Sequence, residues 1–171
     1  SFIFTDADIS SNILKKILKK VLSTTFNAIT VDSDTSTNDS VVIFSTKKVK
    51  LGNLTSISSP TIIKFEEALR TVCLDLAKQV VVDGEGAKKF ITVKIVNSKS
   101  VSAAKKIAFS IANSPLIKTA VGGEDPNWGR IVMGIGKSCE KIDLKKLTIK
   151  LGEFIIAEKG KISESYDENK L

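Results

Sequence analysis

The chain has 171 residues and a mass of 18.5 kDa, the size of one domain or of two small ones. Hydrophobic residues make up 42% and charged residues 26%, a composition that excludes disordered, collagen-like and low-complexity architectures. It carries a formal charge of +7 and no histidine, which excludes a Ser-His-Asp triad, a Cys-His pair and a histidine-containing metal site within it.

In chain order, the β-prone SFIFT at Ser1–Thr5 predicts a strand. In SNILKKILKKVL, Ile13, Leu14, Ile17, Leu18, Val21 and Leu22 recur at helical spacing, with Lys15, Lys16, Lys19 and Lys20 opposite. That pattern predicts an amphipathic helix with a solvated lysine face. Asn27–Val31 predicts a short strand, followed by the polar run DSDTSTND and a second strand at Val41–Ser45, and Gly52–Ser59 reads as a loop. Ser59-Pro60 starts a helix, with Ser as N-cap and Pro at the first helical position. This helix is expected to reach about Lys78 and to bury Ile63, Leu69, Val72, Cys73 and Leu76, ahead of the β-branched run Val80–Val82 and the turn DGEGA.

Phe90–Val96 predicts a strand, and VSAAKKIAFSIAN a helix with Ala104, Ile107, Ala108 and Ile111 inward. The Gly-, Pro- and Asn-bearing SPLIKTAVGGEDPNWGR leads into an expected strand, IVMGIG. LTIKL and EFIIA are strand-like, and KISESYDENKL is a polar tail. Mixed helices and strands give an α/β (α+β) class, and the turn at Gly84–Lys89 is the natural domain boundary.

Only Arg70 and Arg130 are arginines; the other basic residues are lysines. Lysine is a point charge suited to a solvated surface, and no basic-aromatic interleaving offers a platform for stacked bases. No nucleic-acid partner is expected. No apolar run approaches the roughly 18 residues of a membrane span, and Ser1 opens no signal-peptide pattern. Cys73 and Cys139 form no CxxC pair, so no metal site is expected and a reducing, cytoplasmic setting fits.

Three stretches could carry chemistry. In ITVDSDTSTND, a strand followed by DxDxT is the pattern of a Mg²⁺-dependent phosphatase, with Asp32 as nucleophile and Asp34 as acid/base. The competing and favoured account is a turn whose Asp and Ser side chains satisfy backbone groups. In VVDGEGAKKF, Gly84 and Gly86 flank Glu85, so a tight turn can present a carboxylate to an ammonium-bearing ligand; a plain surface connection is the alternative. In GGEDPNWGRIVMGIG, Trp128 reads as packing, and Arg130 could anchor Glu124 and Asp125 or a ligand anion.

Taken together, TDADI, TVDSDTSTNDSVV, VVDGEGAKKFITV and IANSPLIKTAVGGEDPNWGRIVMGIG occur in the order that resembles the ornithine acetyltransferase/glutamate N-acetyltransferase family of arginine biosynthesis. The resemblance runs from about Thr5 to about Gly160. It implies a β chain released when a precursor cuts itself before a threonine. That threonine's hydroxyl takes acetyl from N-acetylornithine and passes it to glutamate, its own amine moving the proton. Oxyanion donors and a substrate-binding lysine are expected on the α chain.

Carried over by position, Glu85 is the expected substrate-binding residue, on the ornithine ammonium. Asp83 receives no role, and Asp32, Asp34 and Asn38 shape the surroundings. No catalytic residue is expected in the chain itself: the nucleophile is expected just before Ser1, and Thr5 is no substitute. Ser33 stands where the family pattern has glycine. Further substrate-binding residues, an Asn and a Thr, are expected beyond Leu171.

The implied fold is the β-chain half (residues 1–88) of a layered α-β-β-α sandwich like that of N-terminal-nucleophile enzymes, with a smaller α+β domain at 89–171. The α chain, an α2β2 assembly and no cofactor are expected, with acetyl-CoA possible as a substrate. The remaining alternatives are the phosphatase and a lysine-rich nucleic-acid-binding or scaffold domain.

Overall fold

In the computed structural model, residues 1–52, 56–164 and 166–167 are described. Residues 53–55 of the expected loop, and 165 and 168–171 of the expected tail, lie outside them. The chain divides into two units, Ser1–Ala87 and Lys88–Leu171.

In the first unit, β1 (Phe2–Ala7) and β2 (Val42–Val49) form a two-stranded parallel sheet. Phe2 stands opposite Val42 and Phe4 opposite Phe44, with a register shift between Thr5 and Ala7. Parallel strands require a crossover, and α1 (Ser11–Leu22) lies within it. The Ser10 side chain caps α1 by accepting from the Ile13 N–H at 3.4 Å. The second helix, α2 (Pro60–Val82), is capped by Ser59, which accepts from the Ile62 N–H at 3.3 Å. Alternation along the strands turns Ile3 and Ile43 toward Ile13, Leu14, Ile17 and Val21 of α1 and Ile62, Leu69 and Cys73 of α2.

Three expectations for this unit are corrected. Asn27–Val31 is not a strand: a 3₁₀ turn covers Phe26–Ala28, and the buried Thr25 hydroxyl donates to the Val21 carbonyl at 2.9 Å. Helix α2 continues through Val80–Val82, because β-branching is a weak preference that a packed helix overrides. The buried seam of α2 is Ile62, Leu69, Cys73 and Ala77, whereas Ile63 and Val72 face out at 46% and 47% exposure. A helix apolar on several sides does not reveal which side meets the sheet.

The second unit packs α3 (Val101–Ala112), α4 (Pro115–Gly122) and α5 (Trp128–Lys137) with an antiparallel sheet. That sheet contains β3 (Thr148–Leu151), β4 (Phe154–Glu158) and β5 (Lys161–Ile162) in that order. Its core joins Ile107 and Ile111 of α3, Ile117 of α4, Ile135 of α5 and Ile149, Ile156 and Ala157 of the sheet. In α3, Ala103, Ile107 and Ile111 are buried, while Ala104 and Ala108 are half-buried.

IVMGIG, expected as a strand, is helical within α5. The Asn127 side chain caps this helix, accepting from the Arg130 N–H at 3.1 Å. A short apolar run is compatible with either period, and the cap decides it. SPLIKTAVGG supplies a helix where an irregular segment was expected, with Pro115 in its first turn. Phe90–Val96 joins no strand ladder among the described residues, although Val93 and Ile95 pack against the core at alternate positions. The content is mixed α/β. Among the described residues, no helix is long and apolar enough to cross a membrane.

Candidate functional site

At the start of the sheet, the Ser1 nitrogen donates to the Ser40 carbonyl at 2.7 Å. The Val42 N–H returns a bond to the Ser1 carbonyl at 3.0 Å. The Asp32–Asp39 run therefore enters β2 directly beside Ser1. Within that run the Asp34 N–H donates to Asp32 Oδ1 at 2.9 Å, and Ser36 Oγ accepts from the Asn38 and Asp39 N–H groups at 3.3 and 3.2 Å. These are the side-chain-to-backbone bonds of Asx and Ser turns, the favoured account of this stretch. Ser33 holds a φ of 78°, in the left-handed region where glycine is at ease.

Helix α2 ends in the turn that carries Glu85. The Ala87 N–H donates to the Gly84 carbonyl at 2.9 Å, and Gly86 takes a φ of 69°. Positive φ at the third residue of a four-residue turn calls for glycine. Glu85 is exposed at the tip. The base of the turn is held against the Asp32 run, because a Cβ added to Gly84 would meet Val31 Cγ1 at 2.9 Å.

A hollow of about 600 Å³ lies at the same end of the unit, lined by Ser1, Leu76, Lys78, Gln79, Val80, Val82 and Asp83. Glu85 is not among these residues; Asp83, two positions earlier, is. Sequence reasoning missed Lys78 and gave Asp83 no role. The signal was the spacing of Leu76, Gln79, Val80 and Asp83, which share one helix face only if α2 runs to Val82.

The other candidates are structural. Thr5 is half-buried within β1 and accepts from the Ala7 N–H at 3.2 Å. Arg130 does not anchor Glu124 or Asp125: its Nη1 donates to the Leu116 carbonyl at 2.9 Å and to Thr119 Oγ1 at 3.2 Å. Glu124 pairs instead with Lys89, whose ammonium holds its carboxyl below the usual range. Trp128 packs against the second core. Cys73 is fully buried, which pushes its thiol up, and Cys139 is exposed.

Comparison with known proteins gives consistent results. The arginine biosynthesis bifunctional protein ArgJ of Brucella suis biovar 1 is 45% identical over 172 residues, covering 99% of this chain and 42% of its own length. The protein of the same name from Bartonella henselae is 46% identical over 171 residues, covering 100% and 42%. The chain thus spans less than half the length of these curated relatives. A crystal structure of the arginine biosynthesis bifunctional protein ArgJ of Bacillus halodurans superposes with a TM-score of 0.90 at 36% identity, covering 99% of this chain and 78% of that one. The family model described as the ArgJ family matches residues 1–171, and the chain belongs to that family.

Proposed function

We propose that this chain is the β-chain part of an acetyltransferase that moves acetyl from N-acetylornithine to glutamate in arginine biosynthesis. The observation that carries this reading is the family match over residues 1–171, which takes in DSDTSTND, DGEGAKKF and GEDPNWGRI as one ordered set. Family membership across the whole chain replaces the phosphatase and nucleic-acid-binding readings. The Asx turn gives the Asp32 side chain a structural task, accepting from the Asp34 N–H.

In the proposed reaction, a threonine expected just ahead of Ser1, freed as an N-terminal residue by self-cleavage of the precursor, attacks the acetyl carbonyl. Its Oγ–C bond forms, the amide C–N bond breaks and ornithine leaves with a proton. The glutamate amine then attacks the ester carbonyl: the new N–C bond forms, the ester C–Oγ bond breaks, and a proton from the amine passes to the threonine oxygen. Glu85 binds the ornithine ammonium, a charge-assisted interaction suited to an exposed carboxylate on a glycine-flanked turn. Acetyl-CoA can enter as an alternative acetyl donor, and no cofactor takes part.

An α chain of the same precursor covers the outer face of the β1–β2 sheet. Phe2 and Phe4 are 73% and 70% exposed there, and Phe4 stacks on Phe44 with centroids 5.2 Å apart. An apolar face of this kind on a two-stranded sheet suits a second layer, which would complete the α-β-β-α sandwich. The assembly is α2β2 and cytoplasmic.

The test is expression of the full-length precursor, with mass spectrometry of its chains and an assay of ornithine release from N-acetylornithine in the presence of glutamate. Two chains and glutamate-dependent release are expected, with release weakened by Glu85→Gln. An uncut precursor that transfers no acetyl group would overturn the proposal.

A further inference from the structure

Phe90–Val96 has the composition and the setting of a strand, without a partner for its backbone. Val93 and Ile95 pack against the second core, while Thr92, Lys94 and Val96 are exposed. This is the period-two alternation of a strand lying on a hydrophobic layer. Asn97, at a φ of 56°, ends the run ahead of Ser100, which caps α3. Among the described residues, no N–H or carbonyl of Phe90–Val96 makes a hydrogen bond.

Backbone groups beside a core are nearly always paired, and an open strand edge is a template for another strand. Edges that stay in solvent are blunted by proline, by charged side chains or by a bulge. This one carries Lys94 alone, and Phe90, Ile91 and Val96 are exposed along it. Such an edge fits an added strand, whose main chain supplies the hydrogen bonds and whose side chains cover the apolar residues. The source of that strand is indicated by two observations. Tyr166, near the end of the described chain, packs against the same core as Val93 and Ile95. The chain also covers only 78% of the Bacillus halodurans chain on which it superposes, so further polypeptide belongs to the fold of that relative. A strand tethered to the same unit acts at a high effective concentration, which a second copy does not match.

We propose that the Phe90–Val96 edge is completed by a β-strand from the part of the same polypeptide that follows Leu171. The proposal rests on the β-chain reading, in which the polypeptide continues past that residue, and adds where the continuation docks and through which groups. Main-chain pairing satisfies the open backbone, and the added strand becomes part of the second unit.

The test uses the full-length protein and two measurements. The first is residue-resolved hydrogen exchange of the wild type. One alternate set of amides, either Ile91, Val93 and Ile95 or Thr92, Lys94 and Val96, is expected to exchange at least about a hundredfold more slowly than an unstructured peptide. Unprotected amides throughout 90–96 would overturn the proposal. The second places a photoreactive benzophenone amino acid at Thr92, whose side chain is exposed, and maps the cross-linked peptide by mass. Attachment to a peptide that follows Leu171 in the same polypeptide is expected. Attachment to the α chain, to a second copy (told apart by mixing isotope-labelled with unlabelled protein) or only to residues before Leu171 would overturn it. The wild-type exchange data decide the matter if the substituted protein does not fold. A precursor that stays uncut and transfers no acetyl group defeats the acetyltransferase reading alone, because it carries the same continuation and both measurements still apply.

Discussion

Gly84 lies against Val31: a methyl group on Gly84 would stand 2.9 Å from Val31 Cγ1 and 3.2 Å from the Val81 carbonyl oxygen. The turn bearing Glu85 and the run beginning at Asp32 are thereby held together by the lack of a side chain. Gly84→Ala must push the turn outward, and a shift of this kind costs about 1–2 kcal/mol. In the full-length protein, KM for N-acetylornithine is expected to rise together with a lower thermal midpoint. An unaltered KM would separate the turn from substrate binding.

Two glycines of α5 are expected to respond in opposite directions. A Cβ on Gly134 would stand 2.7 Å from Ile117 Cδ1 and 3.4 Å from Ile111 Cα, inside a packed core. Gly134→Ala is expected to destabilise by about 1–3 kcal/mol. Gly136 has open space around it, so Gly136→Ala gains helix propensity of about 0.5–1 kcal/mol. Urea denaturation of the two variants, compared with wild type, measures both.

Ser33 sits at a φ of 78°, and a left-handed conformation costs an L-residue roughly 1–2 kcal/mol. Glycine removes that strain but has more freedom to lose on folding, about 0.4–1 kcal/mol. Ser33→Gly is therefore expected to stabilise by about 0.5 kcal/mol. A drop in the denaturation midpoint would show that the serine side chain contributes more than its backbone costs.

Glu66 binds two elements through charge. It accepts from Lys20 of α1 at 2.8 Å and from Arg70 at 2.9 Å, and Lys20 first, then Arg70, holds its carboxyl below the ordinary 4.5. A carboxylate stabilised by folding contributes fully above its ordinary value, and the contribution is lost as pH falls through the lowered one. Glu66→Gln is expected to be less stable than wild type at neutral pH, with the gap closing in acid. Melting curves from pH 7 down to about pH 3 test this; a gap that stays constant across that range would rule out the ion pairs as its source.

Much of the fold was legible wherever a cap and a one-sided pattern agreed. The one-sided lysine pattern of α1, the Ser59-Pro60 cap of α2 and the helical pattern of VSAAKKIAFSIAN all correspond to real helices. The misreadings fall where local preference was weak. In IVMGIG the cap at Asn127 outweighed the β-prone letters, and in Val80–Val82 an established helix carried β-branched residues to its end. Ending α2 near Lys78 also hid the hollow, since Val80, Val82 and Asp83 join Leu76 there only on a continuous helix. The Glu85 turn was legible because Gly86 takes a positive φ and Gly84 leaves no room for a side chain beside Val31, whereas the partners of Arg130 depend on a helix, α4, that the sequence pattern did not announce.

The two cysteines divide between the two units, Cys73 fully buried in the first and Cys139 exposed in the second. Alkylating reagents therefore meet a chain with built-in reporters of two speeds. Cys139 is modified while the protein is folded, and Cys73 only when α2 comes away from α1 and the sheet. Timed labelling followed by peptide mass mapping gives the opening rate of the first unit without any engineered probe.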